Sequence, residues 1–278
     1  MKTITLQDIW HSTELTQDAK LWCRDHIDYL NAPMTLWGTS TKVEKGSDKF
    51  DTYVMYFIPA GKVAVHTLCA GARAAGCEEP CLIQTGHLGM SKAQNAATKR
   101  TILWLIRREW FEAQLLREVD KAERRALRTG IPALFRPNGT SDEDFSHIIA
   151  QRPQSQWYDY TKVLSRIRRN TLANYDLTYS GSMYSVQSKA ALRKAALRGH
   201  RIAMAWNTKG SKGDTLKLPA GATSFDKTDI RHLDGAVVGT LTRKDSNVAQ
   251  RHLENKAAQS FFVTSANVAE FNDIIAIG

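Results

Sequence analysis

The sequence predicts an α/β protein, built as a partial (βα)6 TIM-like barrel with an N-terminal extension. Aromatic and β-branched residues are concentrated in strand-like runs, and helical hydrophobic patterns lie between several of them. Strands that alternate with helices imply parallel pairing through crossover connections. A doubly wound sheet is the alternative arrangement of the same elements. The strand-like runs are 51–58, 132–136, 156–160, 175–179, 200–206 and 235–241.

The helical patterns are clearest in the segments that precede the second and fifth runs. Residues 93–127 predict the longest helix, with Ile102, Leu105, Ile106 and Trp110 at steps of three and four. Residues 185–197 predict another, and the following Gly199 is a typical C-terminal cap.

The first 50 residues are assigned to the N-terminal extension and residues 51–278 to a single barrel-like domain. Within the extension, residues 13–30 predict a helix, and residues 38–47 are polar and rich in turn formers. A chain of 278 residues can bury enough apolar surface to fold without disulfides.

The chain is strongly basic, with a formal net charge of +10. A basic surface attracts polyanions, which makes nucleic acid a candidate partner, although a solvated basic surface gives the same composition. The residues predicted to meet phosphates are Arg166, Arg168, Arg169, Arg193, Lys194 and Arg198.

No apolar run approaches the roughly 18 residues of a membrane span, and the first residues lack the pattern of a signal peptide. We therefore expect a cytoplasmic protein without a membrane partner. In a reducing cytosol, disulfides between its four cysteines are not expected.

Small polar or charged residues follow almost every predicted strand. In parallel βα units, the carboxyl ends of all strands share one edge, where ligand sites lie in such folds. Helix N-caps also prefer Ser, Asp and Asn, so capping is the alternative explanation for each residue taken singly. The candidates at this edge are Asn138, Ser141, Asp142, Asp159, Lys162, Ser180, Asn207 and Thr240.

Three cysteines follow the first strand in a loop with the spacing C-x7-C-x3-C. Cys69, Cys77 and Cys81 could bind zinc or an iron–sulfur cluster, because thiolate sulfur is a soft, charged donor. Three ligands leave one position open on a four-coordinate centre, as catalytic sites require. His66 or Cys23 could supply a fourth ligand, and the alternative is that these cysteines are buried packing residues.

Several familiar motifs are missing. The sequence has no P-loop, no dinucleotide-binding glycine motif, no G-x-S-x-G elbow and no H-E-x-x-H helix. These absences give no support to the nucleotide-binding, hydrolase and zinc-protease classes that such motifs mark.

Four segments in order resemble a bacteriophage family, the gene-product-eighty-eight-like group. They are the cysteine loop and the motifs RPNGTSD, YDYTK and RHLDGAVVG, which begin at Arg136, Tyr158 and Arg231. The resemblance covers about residues 60–245 and implies a phage origin without implying a particular activity.

A more distant similarity is to radical S-adenosylmethionine enzymes. That resemblance implies a partial (βα)6 barrel whose three cysteines hold a four-iron cluster, with the fourth iron binding S-adenosylmethionine. The cysteine spacing here differs from the C-x3-C-x2-C of those enzymes, and Asn138-Gly139-Thr140 stands where they have glycine-glycine-glutamate.

Three hypotheses follow. In the first, the protein is an enzyme: Asn138, Ser141 and Asp142 would bind a cofactor or substrate beside the cluster. Asp159 and Lys162 would line the cavity as catalytic residues, with proton exchange by Asp159 if burial raised its pKa. In the second, zinc is structural and the basic residues bind nucleic acid. In the third, a barrel that has lost catalysis contacts a host protein.

Overall fold

The structure is a computed structural model of the full chain. The ranges it describes are 3–38, 49–59, 61–78, 80–207, 216, 221–226, 229–234, 238–243 and 260–276.

A seven-stranded parallel sheet, curled into a half-barrel, runs through the described residues in the order β1-β2-β3-β4-β5-β7-β6. Its parallel pairing follows from the helices and long connections that separate successive strands. The strands are Asp51–Val54 (β1), Ala133–Arg136 (β2), Gln156–Thr161 (β3), Tyr175–Ser180 (β4), Ile202–Trp206 (β5), Thr223–Ser224 (β6) and Val238–Thr242 (β7).

The predicted α/β class is confirmed, and each of the six predicted runs contributes a strand. The sheet also holds β6, whose two residues are too few to show a periodicity in the sequence. The first strand is shorter than predicted, since its pairing ends at Val54. Residues 235–237 of the last predicted run lie outside the described residues. The division into six βα units stays a prediction.

Helices cover one face of the sheet. The described helices are Leu6–Trp10 (α1), Gln17–Asp25 (α2), Ile27–Asn31 (α3), Ala72–Ala75 (α4), Ser91–Ile106 (α5), Arg108–Thr129 (α6), Ser146–Ile149 (α7), Leu164–Arg169 (α8), Val186–Ala196 (α9) and Val268–Ile275 (α10).

The long predicted helix is divided into α5 and α6. Arg107 between them leaves the helical region, with φ −138° and ψ 46°. Its guanidinium donates to the Asp8 carboxylate at 2.9 Å. This contact joins residues 99 positions apart, so a periodicity read within the helix could not show the break.

The core lies between the helices and alternate strand residues. Phe135 and Trp157 pack with α5 and α6, and Met204 and Trp206 pack with α9 and α10. On the opposite face, Tyr158 packs with Leu134 and Ile230. Successive side chains of a strand point to opposite faces of the sheet, so Lys162, just beyond β3, lies on the same face as Tyr158.

The N-terminal segment packs against the same core. Ile9, Leu15 and Leu36 belong to one buried cluster with Phe135, and the Thr16 backbone donates to the Val63 carbonyl at 2.9 Å. Among the described residues, no helix combines the length and apolar character needed to cross a membrane.

Candidate three-cysteine site

The three clustered cysteines line one small cavity of about 60 Å³, a space for a few waters or an ion with its ligands. The loop that carries them follows β1 and lies over the carboxyl ends of β3 and β4. The remaining lining residues are Ile58, Pro59, Lys62, Ala72, Glu78 and Ile83.

Two glycines allow the cysteine loop to approach the sheet closely. A Cβ at Gly71 would lie 2.5 Å from the Cβ of Lys162, and one at Gly76 would lie 2.3 Å from the ring of Tyr184. Gly76 also has φ +66°, which L side chains rarely adopt. Both positions therefore favour glycine for reasons of space.

Hydrogen bonds fix the loop where the glycines allow it to lie. Ser182, beyond β4, donates to the Ala75 carbonyl at 2.7 Å, and Ser185 donates to the Ala74 carbonyl at 2.6 Å. The short helix α4 is thus held against the segment that leads into α9, which places the cysteines at the carboxyl edge of the sheet.

The thiols lie in an apolar environment. Burial raises the pKa of Cys69, Cys77 and Cys81, because the thiolate loses its hydration. The Ile83 backbone donates a hydrogen bond to the Cys81 sulfur, which opposes that rise. No group of three or more His, Cys, Asp or Glu side chains in the described ranges is arranged to hold a metal ion.

Neither proposed fourth ligand lines the cavity. His66 is exposed, and Cys23 is fully buried in the core on α2. Glu78 does line the cavity, and sequence reasoning missed it although it directly follows Cys77. A carboxylate oxygen is also an accepted zinc ligand.

Lys162 lies beside this loop. Its Nζ donates to the Ser180 hydroxyl at 2.9 Å and lies 5.1 Å from the centre of the Phe261 ring. It also interacts electrostatically with all three cysteines. The structure thus brings together Lys162, Ser180 and the cysteine loop.

The polar side chains of the loop after β2 form hydrogen bonds within the loop and with neighbouring segments. The Asn138 amide nitrogen donates to the Glu143 carbonyl at 2.9 Å, and the Ser141 hydroxyl donates to Asn138 Oδ1 at 2.7 Å. Thr140 donates to the Phe57 carbonyl at 2.7 Å. These side chains are buried and build the loop itself.

Asp142 connects the two loops. Its backbone donates to the Leu68 carbonyl at 2.8 Å, next to Cys69 in sequence. Its carboxylate accepts from the Lys162 backbone at 2.8 Å and the Thr161 hydroxyl at 3.1 Å, and it forms a buried ion pair with Arg166. Asp142 therefore fixes the position of the cysteine loop relative to β3.

Asp159 lies beneath the loop after β2, fully buried. Its carboxylate accepts from the Asn138 backbone and side chain at 3.0 and 2.9 Å, and from the Tyr175 hydroxyl at 2.8 Å. Burial raises the pKa of Asp159 to about 6, although Arg136 and these hydrogen bonds oppose the rise. These contacts join Asp159 to the loop after β2 and to β4, and Asp159 does not line the cavity.

Two further candidates lie apart from the cysteines. Asn207 accepts from the Arg243 guanidinium at 2.8 Å. Thr240 is paired with Met204 in the sheet, and its hydroxyl donates to the Thr223 carbonyl at 3.3 Å. The structure does not place either residue in the lining of the cysteine cavity.

The predicted phosphate-binding residues divide into one buried and five exposed. Arg166 is buried with Asp142, so phosphate contact would require breaking that ion pair. The exposed residues lie toward the ends of α8 and α9, whose apolar residues share one cluster. They are Arg168, Arg169, Arg193, Lys194 and Arg198.

A buried polar cluster on the face opposite the helices was not predicted. Asp229 accepts from Arg136 and Tyr158 at 2.8 Å each, and from Tyr160 at 3.0 Å. Arg136 is the first residue of the RPNGTSD motif, and Tyr158 and Tyr160 lie in the YDYTK motif. Both motifs carry the phage resemblance. No sequence signal joined them to Asp229, at least 69 residues away.

Comparison with known proteins decides the family. The model described as Gene product 88 matches residues 34–263, more than half of the chain. The chain belongs to the Gene product 88 family. The predicted phage family is therefore confirmed, whereas the similarity to radical S-adenosylmethionine enzymes gains no support. No curated protein and no solved structure matches the chain.

Proposed function

We propose that this member of the Gene product 88 family is a metalloprotein in which Cys69, Cys77 and Cys81 hold one metal centre. The observation that carries the proposal is that all three cysteines, from a single loop, line the same cavity at the carboxyl edge of a parallel sheet.

The donor set fits the centre chemically, although the thiols as placed do not enclose an ion. Thiolates bind zinc and iron–sulfur clusters, and the Ile83 amide already faces the Cys81 sulfur. Loading requires the thiol side chains to turn toward the cavity and to release their protons. With three cysteines as ligands, the fourth position stays open for substrate or cofactor.

An iron–sulfur enzyme is the first form of this proposal, and zinc is the alternative. In the iron–sulfur form, S-adenosylmethionine would occupy the open position at the mouth of a (βα)6 barrel. Lys162 and Ser180 are the predicted site residues best placed to contact such a ligand. Asn138, Ser141 and Asp142 bind within the chain and would act by positioning the loops.

Anaerobic purification tests the proposal. We expect iron with labile sulfide, or zinc, in the wild-type protein and a loss of most metal in the variant Cys69→Ala/Cys77→Ala/Cys81→Ala. The matched control is Cys23→Ala, which removes a buried cysteine outside the cavity and should keep full metal content. Wild-type protein without metal, or equal metal in both variants, contradicts the proposal.

Nucleic-acid binding is a second candidate, favoured by the exposed basic residues of α8 and α9. In parallel crossovers both helices run opposite to the strands, so their basic ends lie toward the edge away from the cysteines. Counterion release makes such binding fall steeply with salt. We expect Arg168→Ala/Arg193→Ala to weaken DNA or RNA binding and to reduce the salt slope by about 2.

Lys92→Ala, which changes an exposed lysine on α5, is the control for that experiment. A salt-independent affinity, or none at low salt, would remove this candidate. If metal is absent too, a host-protein interaction becomes the leading alternative.

A further inference from the structure

Lys162 holds a positive charge near the cysteine cavity, where the three cysteines and Asp142 act on it electrostatically. No described carboxylate forms an ion pair with Lys162, whose Nζ contacts the neutral Ser180 hydroxyl and the Phe261 ring. An ammonium has three N–H donors, and among the described residues only the Ser180 hydroxyl accepts a hydrogen bond from this one.

The Asp142 carboxylate, which acts electrostatically on Lys162, already has other hydrogen-bond partners. Asp142 pairs with Arg166 and accepts from Thr161 and from the backbone of Lys162, and although its charge acts on the Lys162 amine, the two groups form no ion pair. The ammonium therefore has capacity for another negatively charged acceptor.

The surroundings also hold the amine in place. Gly71 packs its backbone against the Lys162 Cβ, and Ser180 and Phe261 contact the far end of the side chain. A lysine restrained at both ends loses little further conformational freedom when it binds a ligand.

We infer that Lys162 and Ser180 form an anion-binding subsite beside the cysteine cavity, which takes the carboxylate or phosphate group of a small ligand. This inference rests on the proposed metal site and names the chemical class of its ligand. The ammonium binds the anion, the Ser180 hydroxyl donates a second hydrogen bond, and the rest of the ligand reaches toward the open coordination position.

Calorimetric titration of the anaerobically purified, metal-loaded protein tests the subsite. Inorganic phosphate and acetate serve as separate probes at constant ionic strength, which distinguishes phosphate from carboxylate ligands. We expect one of them to bind the wild type, and Lys162→Met to bind it at least tenfold more weakly with metal content unchanged. Lys162→Arg should retain binding, and Lys92→Met, at an exposed lysine, should match the wild type.

Ser180→Ala provides a milder test that leaves the ammonium in place, with an expected severalfold loss of affinity. Equal affinity in the wild type and Lys162→Met overturns the subsite, as does the absence of binding by both probes. If Lys162→Met loses its metal and Lys162→Arg keeps it, Lys162 balances thiolate charge, and the inference is overturned.

A different set of results is expected if the metalloprotein proposal is wrong. If the wild type holds no metal but still binds phosphate or acetate in a manner that depends on Lys162, the anion subsite stands and the metalloprotein proposal falls.

Discussion

The loops after β1 and β2 lie side by side at the carboxyl edge of the sheet, yet they use their polar residues in opposite ways. The loop after β2 binds itself and its neighbours through Asn138, Thr140 and Asp142. The loop after β1 instead presents Cys69, Cys77 and Cys81 to a cavity. Polar residues that end parallel strands can therefore build the frame of a site as well as contact its ligand.

The loop after β2 and the residues that hold it, here called the frame, contact the cysteine loop through hydrogen bonds. Asp159 holds Asn138, and Asp142 joins β3 to the residue before Cys69. The comparison predicts that changes in the loop after β2 act mainly on stability, whereas changes in the cysteine loop act mainly on metal content.

The largest effect is expected from Asp142→Ala. It leaves the Arg166 guanidinium buried without its carboxylate, which should lower the free energy of unfolding by about 3–5 kcal/mol. Denaturant unfolding measures the change. Asp273→Ala on α10 removes an exposed aspartate and should change stability by less than about 0.5 kcal/mol. A loss below about 1 kcal/mol for Asp142→Ala would show that the frame does not depend on this ion pair.

The next effect concerns the pH dependence of stability. The folded pKa of Asp159, about 6, lies above that of an unfolded aspartate, so the folded protein retains this proton more strongly. The stabilisation is full below about pH 4 and is lost as pH rises through 6, a decrease of up to about 3 kcal/mol. Denaturant midpoints between pH 4 and 7 should show this component in the wild type and not in Asp159→Asn.

The comparison of these two proteins removes the contributions of the other carboxyl groups, which both share. An identical pH dependence in Asp159→Asn would mean that Asp159 titrates as it does in the unfolded chain.

Gly76→Ala tests whether docking of the cysteine loop matters for the site. The added methyl group meets the Tyr184 ring in addition to the strain of φ +66°, so we expect a loss of about 1–3 kcal/mol and reduced metal content. Gly86→Ala is the matched control, since Gly86 has φ +53° and open space around its Cα. Equal losses in both variants would show that the contact with Tyr184 is unimportant.

The smallest stability effect is expected from Cys77→Ala in metal-free protein. Within the described ranges, the sulfur forms a weak hydrogen bond to the Ala72 carbonyl at 3.7 Å, so the variant should lose about 1 kcal/mol or less. Chemical denaturation after chelation gives the value. A loss as large as that of Asp142→Ala would make Cys77 part of the frame and weaken the contrast between the loops.

Much of the fold could be predicted because its signals are local. Runs rich in aromatic and β-branched residues predicted the six longer strands, and Gly199 correctly marked the end beyond α9. The break at Arg107 and the short β6 had no such signal. The break at Arg107 involves a contact with Asp8, far away in the chain, and β6 has too few residues to form a pattern.

The sequence by itself determined the parallel α/β class, the family resemblance and the grouping of three cysteines after the first strand. Only the tertiary structure decided which polar residues are partners of one another. Arg166 and Lys162 are both basic residues near the end of β3, yet one pairs with Asp142 and the other faces Ser180 and the cysteine loop. The physical reason is that the energy of a charge depends on its burial and neighbours, and those neighbours come from separate strands.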